Sequence, residues 1–212
     1  MFYEVLRGIL IIYFRAFYSL EITGKEHIPA DGPVILCANH SSYFDSMLVG
    51  LCTGRKVRFI IYDVFYHHRL LGPFIRAMNS IPVRADGINK EAMKKSLAVL
   101  KGGGVIGIFP EGRLTRTGLP GPAEPGAALL AAAGNAPIVP ITISGAYSVY
   151  PKGRTIPGLK GKIMVKVHPP IIVEPARKGD KDYLQGTIDR VMNTIENSLI
   201  IKEVIRISSI SP

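Results

Sequence analysis

The chain has 212 residues, enough to bury a sizeable core as one domain, and no Ser-, Gln- or Pro-rich linker divides its apolar segments. Its net charge is +10 while 47% of its residues are apolar, a pairing that sets it apart from basic nucleic-acid binders, which are polar overall, and that favours an anionic membrane surface or acidic substrates and carriers. Lys and Arg are spread thinly, the densest cluster being Arg55-Lys56-Val57-Arg58, and Cys37 and Cys52 form no disulfide framework, so nucleic acid is not expected as a partner and a reducing, cytosolic setting fits.

The first predicted element is a helix over Phe2 to Tyr18, FYEVLRGILIIYFRAFY. At about 100° per residue Glu4, Arg7 and Arg15 fall within an arc of roughly 80°, leaving a broad apolar face. Its length, about 25 Å, is short of the roughly 30 Å hydrocarbon core, so it reads as a helix lying in or dipping into one leaflet rather than spanning it. Packing on its own domain is the alternative. A signal peptide is disfavoured, because no small-x-small cleavage site follows and the chain runs on into a strand-like Leu20-Glu21-Ile22-Thr23-Gly24.

Short apolar strands then alternate with helical stretches, at 20–23, 33–38, 57–62, 104–109, 138–143 and 163–168. The pattern predicts a single α/β domain over 19–212, with a central mostly parallel or mixed sheet flanked by helices, preceded by the membrane-associating helix 1–18. Between Ile88 and Lys101, Ile88, Ala92, Met93, Leu97 and Leu100 share one side of a surface helix, and Lys90, Lys94, Lys95 and Lys101 form a solvated face opposite. From Thr117 to Pro151 there is no Lys or Arg and Glu124 is the only acid, which predicts a buried helix, Gly126 to Ala133, feeding a central strand, Ile138 to Ile143. Leu184, Ile188, Val191, Ile195 and Leu199 recur at helical intervals in a last amphipathic helix, which packs on the domain or touches the membrane.

Three familiar signals fail on context. Gly102, Gly104 and Gly107 satisfy G-x-G-x-x-G, but a helix precedes them and a strand follows, the reverse of a dinucleotide fingerprint, so they read as a helix stop and a turn. His67-His68 has only Asp63 at ligand spacing, so no metal site is expected. No G-x-S-x-G occurs, which argues against a serine hydrolase of the α/β type.

The chemistry concentrates elsewhere. In Asn39-His40-Ser41-Ser42-Tyr43-Phe44-Asp45 a histidine precedes an aspartate by five positions. On a continuous helix the two would stand roughly 140° apart, so contact needs a bend, which Ser41 or Ser42 can supply by capping a helix that opens near Tyr43 with Asp45 in its first turn. Asp45 then reaches back to one ring nitrogen of His40, and the other is free to take a proton from a hydroxyl nucleophile. Two further stretches set charges at strand ends: Ile81-Pro82-Val83-Arg84, and Phe109-Pro110-Glu111-Gly112-Arg113-Leu114-Thr115-Arg116-Thr117-Gly118, where Pro110 halts an apolar strand. Loops leaving the carboxyl ends of strands in open α/β sheets are where ligands bind, and Arg113 with Arg116 there suits a phosphate.

Taken in order, NHSSYFD at 39–45, IPVR at 81–84, FPEG at 109–112 and IVPI at 138–141 resemble the four blocks of the glycerolipid acyltransferase family, whose best-known members are the 1-acylglycerol-3-phosphate acyltransferases. The likeness takes in Gly32-Pro33 and the turn Gly118 to Pro122, and covers about residues 20 to 175. It implies a glycerol-3-phosphate acyltransferase-like fold, with His40 as the general base and Asp45 fixing its tautomer. It also implies that Arg84 holds the substrate phosphate, that Glu111 and Gly112 serve acyl-acceptor binding, and that Pro140 supports the site. The usual third block continues Thr-Arg-Ser after Glu-Gly, whereas this chain has Arg113, Leu114 and Thr115, and a lysine common in the following turn is replaced by Ala123-Glu124-Pro125. Phosphate binding is therefore expected to rest on Arg84, Arg113 and Arg116 in a different geometry, and the altered block is similar to that of bacterial 2-acylglycerophosphoethanolamine acyltransferases.

The expected activity is acyl transfer from an acyl thioester, of acyl carrier protein or coenzyme A, to the free hydroxyl of 1-acylglycerol-3-phosphate, at the cytoplasmic face of a membrane and with no cofactor. Another lysophospholipid such as lysophosphatidylethanolamine is the alternative acceptor, and thioester hydrolysis by the same base is a further alternative. A non-catalytic basic protein that binds anionic membranes or nucleic acid would explain the charge and the first helix, but not the block spacing.

Overall fold

The computed structural model describes residues 2–67, 69, 72–84 and 90–199. Val34-Ile35-Leu36-Cys37-Ala38 is apolar at every position because the strand it forms, β2 (Val34–Ala38), is buried at all five residues, as expected of a strand covered on both faces. The other strands are β1 (Glu21–Thr23), β3 (Val57–Tyr62), β4 (Ile81–Val83), β5 (Val105–Ile108), β6 (Ile138–Ser144) and β7 (Met164–Val167). They form one seven-stranded sheet in the order β1-β7-β6-β2-β5-β3-β4, with β2 in the middle. Every neighbouring pair is parallel except β6 with β7, so the sheet is mixed.

Helices cover both faces. On one lie α1 (Phe2–Tyr18) and α2 (Asp45–Leu51), whose Phe14, Tyr18, Leu48 and Leu51 pack with Val34, Leu36, Val139 and Ile141. Short helices α3 (Asp63–Tyr66) and α4 (Gly72–Ala77) join β3 to β4. On the opposite face α5 (Lys90–Lys101), α6 (Gly126–Gly134) and α8 (Lys181–Glu196) pack Leu100, Leu130, Ile188 and Ile195 against Ile35, Ile106 and Ile138. The remaining helix, α7 (Ala146–Val149), follows β6 directly.

The α/β architecture of the sequence reading holds, with differences at the margins. β4 was not among the expected strands: it is three residues long, and it lies at the sheet edge, where the ladder donor that Pro82 lacks is least missed. The lysine-faced helix starts at Lys90, and Ile88 lies outside the described residues. The last amphipathic helix packs on the domain through Leu184, Ile188, Val191 and Ile195. His67 is exposed after α3, and His68 lies outside the described residues.

The first helix divides its apolar surface. Phe14 and Tyr18 are buried and Leu10, Ile11 and Tyr13 pack beside them, so one side belongs to the domain core. Arg7, placed by periodicity in the charged arc, is half-buried, whereas Glu4 and Arg15 are exposed. The side turned away from the domain carries Val5, Ile9, Ile12 and Phe17, with Ile12 70% exposed. Among the described residues no helix is long and apolar enough to cross a membrane.

Candidate active site

β2 ends by placing Asn39 and His40 at the carboxyl edge of the sheet. The buried Asn39 side chain replaces a lost strand partner: its amide donates to the carbonyl of Ile143 at 2.9 Å and its oxygen accepts the Ile143 N–H at 2.8 Å, fixing the end of β2 against β6. The chain then turns through Ser41 to Phe44 and enters α2. The helix opens at Asp45, two residues later than serine capping suggested, and Phe44 occupies its N-cap without a side-chain cap. The capping logic is inverted: the Ser42 hydroxyl accepts from the N–H of Phe44, while Asp45 reaches back to accept the N–H groups of Ser41 and Ser42, each at 2.7 Å.

That bend brings His40 Nδ1 to 3.0 Å from the same oxygen of Asp45, Oδ2. The carboxylate is fully buried and the imidazole side chain 23% exposed, so one partner is locked in the protein and the other reaches the surface. Burial pushes the Asp45 carboxyl up from its ordinary value, and the His40 ring and the N–H groups of Ser42 and Ser41 pull it back. With Nδ1–H donated to Asp45, Nε2 of the neutral ring carries the lone pair.

The loop after β5 encloses the histidine. Phe109 stacks on the His40 ring, with centroids 4.0 Å apart and planes within 13°, and Phe59 stacks behind Phe109. Glu111, also buried, accepts the His40 N–H at 2.8 Å through Oε1 and the Gly121 N–H at 2.9 Å through Oε2. Burial raises the Glu111 pKa, opposed by those two N–H groups. The His40 carbonyl accepts the N–H of Thr115 at 2.9 Å, so both backbone polar groups of His40 are held by one loop. Gly112 closes the turn at φ 66°, a left-handed conformation that favours glycine, with its N–H on the Phe109 carbonyl at 3.0 Å. The loop is tethered further out by Tyr147, whose hydroxyl donates to the Arg116 carbonyl at 2.6 Å.

Thus His40, Asp45, Glu111 and Gly112 come together, with Arg113 and Arg116 exposed on the same loop. Arg84 is also exposed and at the carboxyl edge, but it follows β4, three strands from β2, or about 14 Å at roughly 4.8 Å per strand. Pro140, in β6, pairs with Cys37 of β2, and its carbonyl accepts the His168 N–H at 2.9 Å. Sequence reasoning passed over Asn39 and Phe109 although both lie inside or beside the quoted blocks. Their roles depend on Ile143 and on the His40 ring, contacts that spacing does not reveal.

Residues 19–144 match the family model described as Acyltransferase. A relative from Brassica napus, the chloroplastic 1-acyl-sn-glycerol-3-phosphate acyltransferase BAT2, is 30% identical over 73% of this chain, which spans only 46% of that protein. The 1-acyl-sn-glycerol-3-phosphate acyltransferase of Bacillus subtilis is 28% identical over 78% of both chains. Among solved structures, the 1-acyl-sn-glycerophosphate (LPA) acyltransferase PlsC from Thermotoga maritima superposes with a TM-score of 0.70 at 24% identity, covering 92% of this chain and 81% of its own, a likeness of fold.

Proposed function

Since the chain belongs to the acyltransferase family, we propose that it acylates the free sn-2 hydroxyl of 1-acylglycerol-3-phosphate from an acyl thioester of acyl carrier protein or coenzyme A, giving phosphatidic acid. The observation that carries this reading is the 3.0 Å contact of His40 Nδ1 with the buried Asp45, which fits a general base whose tautomer is fixed from behind. The names of the Brassica and Bacillus relatives support the substrate.

In this mechanism Nε2 of His40 takes the proton of the lysolipid hydroxyl as its oxygen attacks the thioester carbonyl carbon. The tetrahedral intermediate collapses, the C–S bond breaks, and the imidazolium returns its proton to the departing thiolate. The products are the ester and the free thiol. Asp45 stabilises the imidazolium between the two proton transfers, and Phe109 holds the ring in plane. A positioned base is worth about 10²–10⁴-fold, with proximity and oxyanion donors supplying the rest. Gly112, Arg113 and Arg116 line the acceptor side, with Arg84 farther along the same edge. Glu111 spends both carboxylate oxygens on backbone N–H groups, which favours a role in positioning His40 over direct contact with acceptor.

The exposed stripe of α1 fits a face laid into one leaflet, with the active-site edge at the cytoplasmic surface of the membrane. The altered third block, with Arg113 directly after Gly112, favours one second reading, a zwitterionic lysolipid such as lysophosphatidylethanolamine as acceptor. Turnover by the purified protein against a panel of lysolipids, with products identified by mass spectrometry, separates the two. Preference for lysophosphatidic acid supports the first, and preference for the ethanolamine lipid the second.

A further inference from the structure

The connection from β6 to β7, residues 145–163, stands at the same edge of the sheet as His40, because β6 ends there and the antiparallel β7 begins there, Ser144 pairing with Met164. It is an ordered segment. Its base is pinched at Gly145, φ 87°, where a Cβ would meet the Lys162 carbonyl at 2.0 Å. The Gly158 N–H bonds the Val149 carbonyl at 2.8 Å, the Tyr18 hydroxyl of α1 donates to the Gly158 carbonyl at 2.9 Å, and the Ile163 N–H donates to the Tyr18 carbonyl at 2.9 Å. The loop is thereby fastened to the carboxyl end of α1, and Pro151 bridges to Ser42, two residues from His40.

Despite that order, it presents Ile156 at 70% and Leu159 at 82% exposure, the latter the most exposed large apolar residue among those described. Lys152, Arg154 and Lys160, all exposed, lie on the same loop within four residues of them in the chain. Exposed apolar and basic side chains on one loop match the chemistry of an anionic lipid surface: the aliphatic side chains enter the acyl boundary and the cations meet the headgroups. The loop that carries the patch is fastened to the carboxyl end of α1 through Tyr18, and α1 carries an outward apolar stripe of its own.

We propose that residues 151–162 form a second membrane contact, selective for anionic lipid, which sets the His40 edge of the sheet against the bilayer; this rests on the membrane reading of α1 given above. A lysolipid leaving the leaflet would then reach His40 without crossing open water.

The test is co-sedimentation of the full chain with vesicles of phosphatidylcholine alone or mixed with phosphatidylglycerol. Three variants are compared with wild type: I156D/L159D, K152A/R154A/K160A, and I9D/I12D on α1, each checked by thermal unfolding. The proposal predicts that I156D/L159D weakens partitioning to anionic vesicles by about tenfold or more. It predicts that the triple alanine variant removes the preference for phosphatidylglycerol, while I9D/I12D binds more weakly but keeps that preference. Wild-type binding by both loop variants, with loss only in I9D/I12D, overturns the loop proposal and leaves the α1 reading standing. Loss in the loop variants but not in I9D/I12D supports the loop and removes α1. Absence of vesicle binding by wild type removes both.

Discussion

Glu111 accepts the backbone N–H of His40 at 2.8 Å, so the orientation of the histidine peptide is fixed by a residue 71 positions later in the chain. The same carboxylate holds Gly121 at 2.9 Å, and Thr115 closes the other side of the His40 peptide. His40 is therefore gripped at three points, through its backbone by the loop after β5, through Nδ1 by Asp45, and through its ring face by Phe109.

Replacement of Glu111 by Gln keeps the shape but leaves one of two N–H groups facing an amide donor. A buried hydrogen-bonding group left unpaired costs about 1–3 kcal/mol. We expect kcat to fall about tenfold to a hundredfold with the KM for lysolipid changed little, as a positioning role requires. A large rise in acceptor KM at unchanged kcat would instead mark Glu111 as a ligand of the acceptor. Steady-state kinetics with varied acceptor decides between them.

For Asp45→Asn the account predicts a kcat lower by about 10²–10⁴-fold, because the amide cannot stabilise an imidazolium and frees the His40 tautomer. The variant should also unfold at a lower temperature, since Asp45 Oδ2 accepts the N–H groups of Ser41 and Ser42. Differential scanning calorimetry beside turnover measurements separates the two effects. A kcat within a few-fold of wild type would remove Asp45 from the mechanism.

Arg113→Ala and Arg116→Ala test the phosphate. A charge-assisted hydrogen bond is worth about 1.5–3 kcal/mol, so the KM for lysophosphatidic acid should rise roughly tenfold or more. A smaller rise is expected for an acceptor whose phosphate carries ethanolamine. Equal effects on both acceptors would argue that the arginines do not read phosphate charge.

Buried His168 donates through Nε2 to Thr142 Oγ1 at 2.8 Å, and that hydroxyl donates to the Ile195 carbonyl at 3.1 Å, tying β6 to α8. Burial, reinforced by Lys166 and His27, holds the His168 pKa below the ordinary 6.5. The unfolded chain then takes up a proton at higher pH than the native chain does. This contribution to stability is full above pH 6.5 and is lost as pH falls through it. Thermal unfolding between pH 7.5 and 5.5 should show a falling midpoint, with a shallower slope in His168→Gln. An unchanged slope in the variant would assign the acid sensitivity to other groups.

The alternation of short apolar strands with helices was visible in the sequence because β2, β5 and β6 are covered on both faces and admit few polar residues. β4 escaped because three residues containing Pro82 carry too little pattern, and its existence depends on pairing with β3. The His40 to Asp45 spacing was legible as a local motif, but the start of α2 was not, since Asp45 rather than a serine organises the turn through backbone N–H groups. The work of Glu111, Asn39 and Phe109 was hidden for a common reason: each acts on a partner more than sixty residues away. The fate of α1 could not be read from its charged arc, because burial of Phe14 and Tyr18 turned Arg7 inward and left Val5, Ile9 and Ile12 outward.

The central claim is that His40 is the base for acyl transfer to a lysolipid hydroxyl. Purified wild-type protein and His40→Ala, matched for thermal unfolding, should be given 1-acylglycerol-3-phosphate and an acyl thioester, and phosphatidic acid measured by mass spectrometry. The account predicts phosphatidic acid from wild type and a rate about 10²–10⁴-fold lower from His40→Ala. Near-wild-type turnover by the alanine variant, or free fatty acid in place of phosphatidic acid, would contradict it.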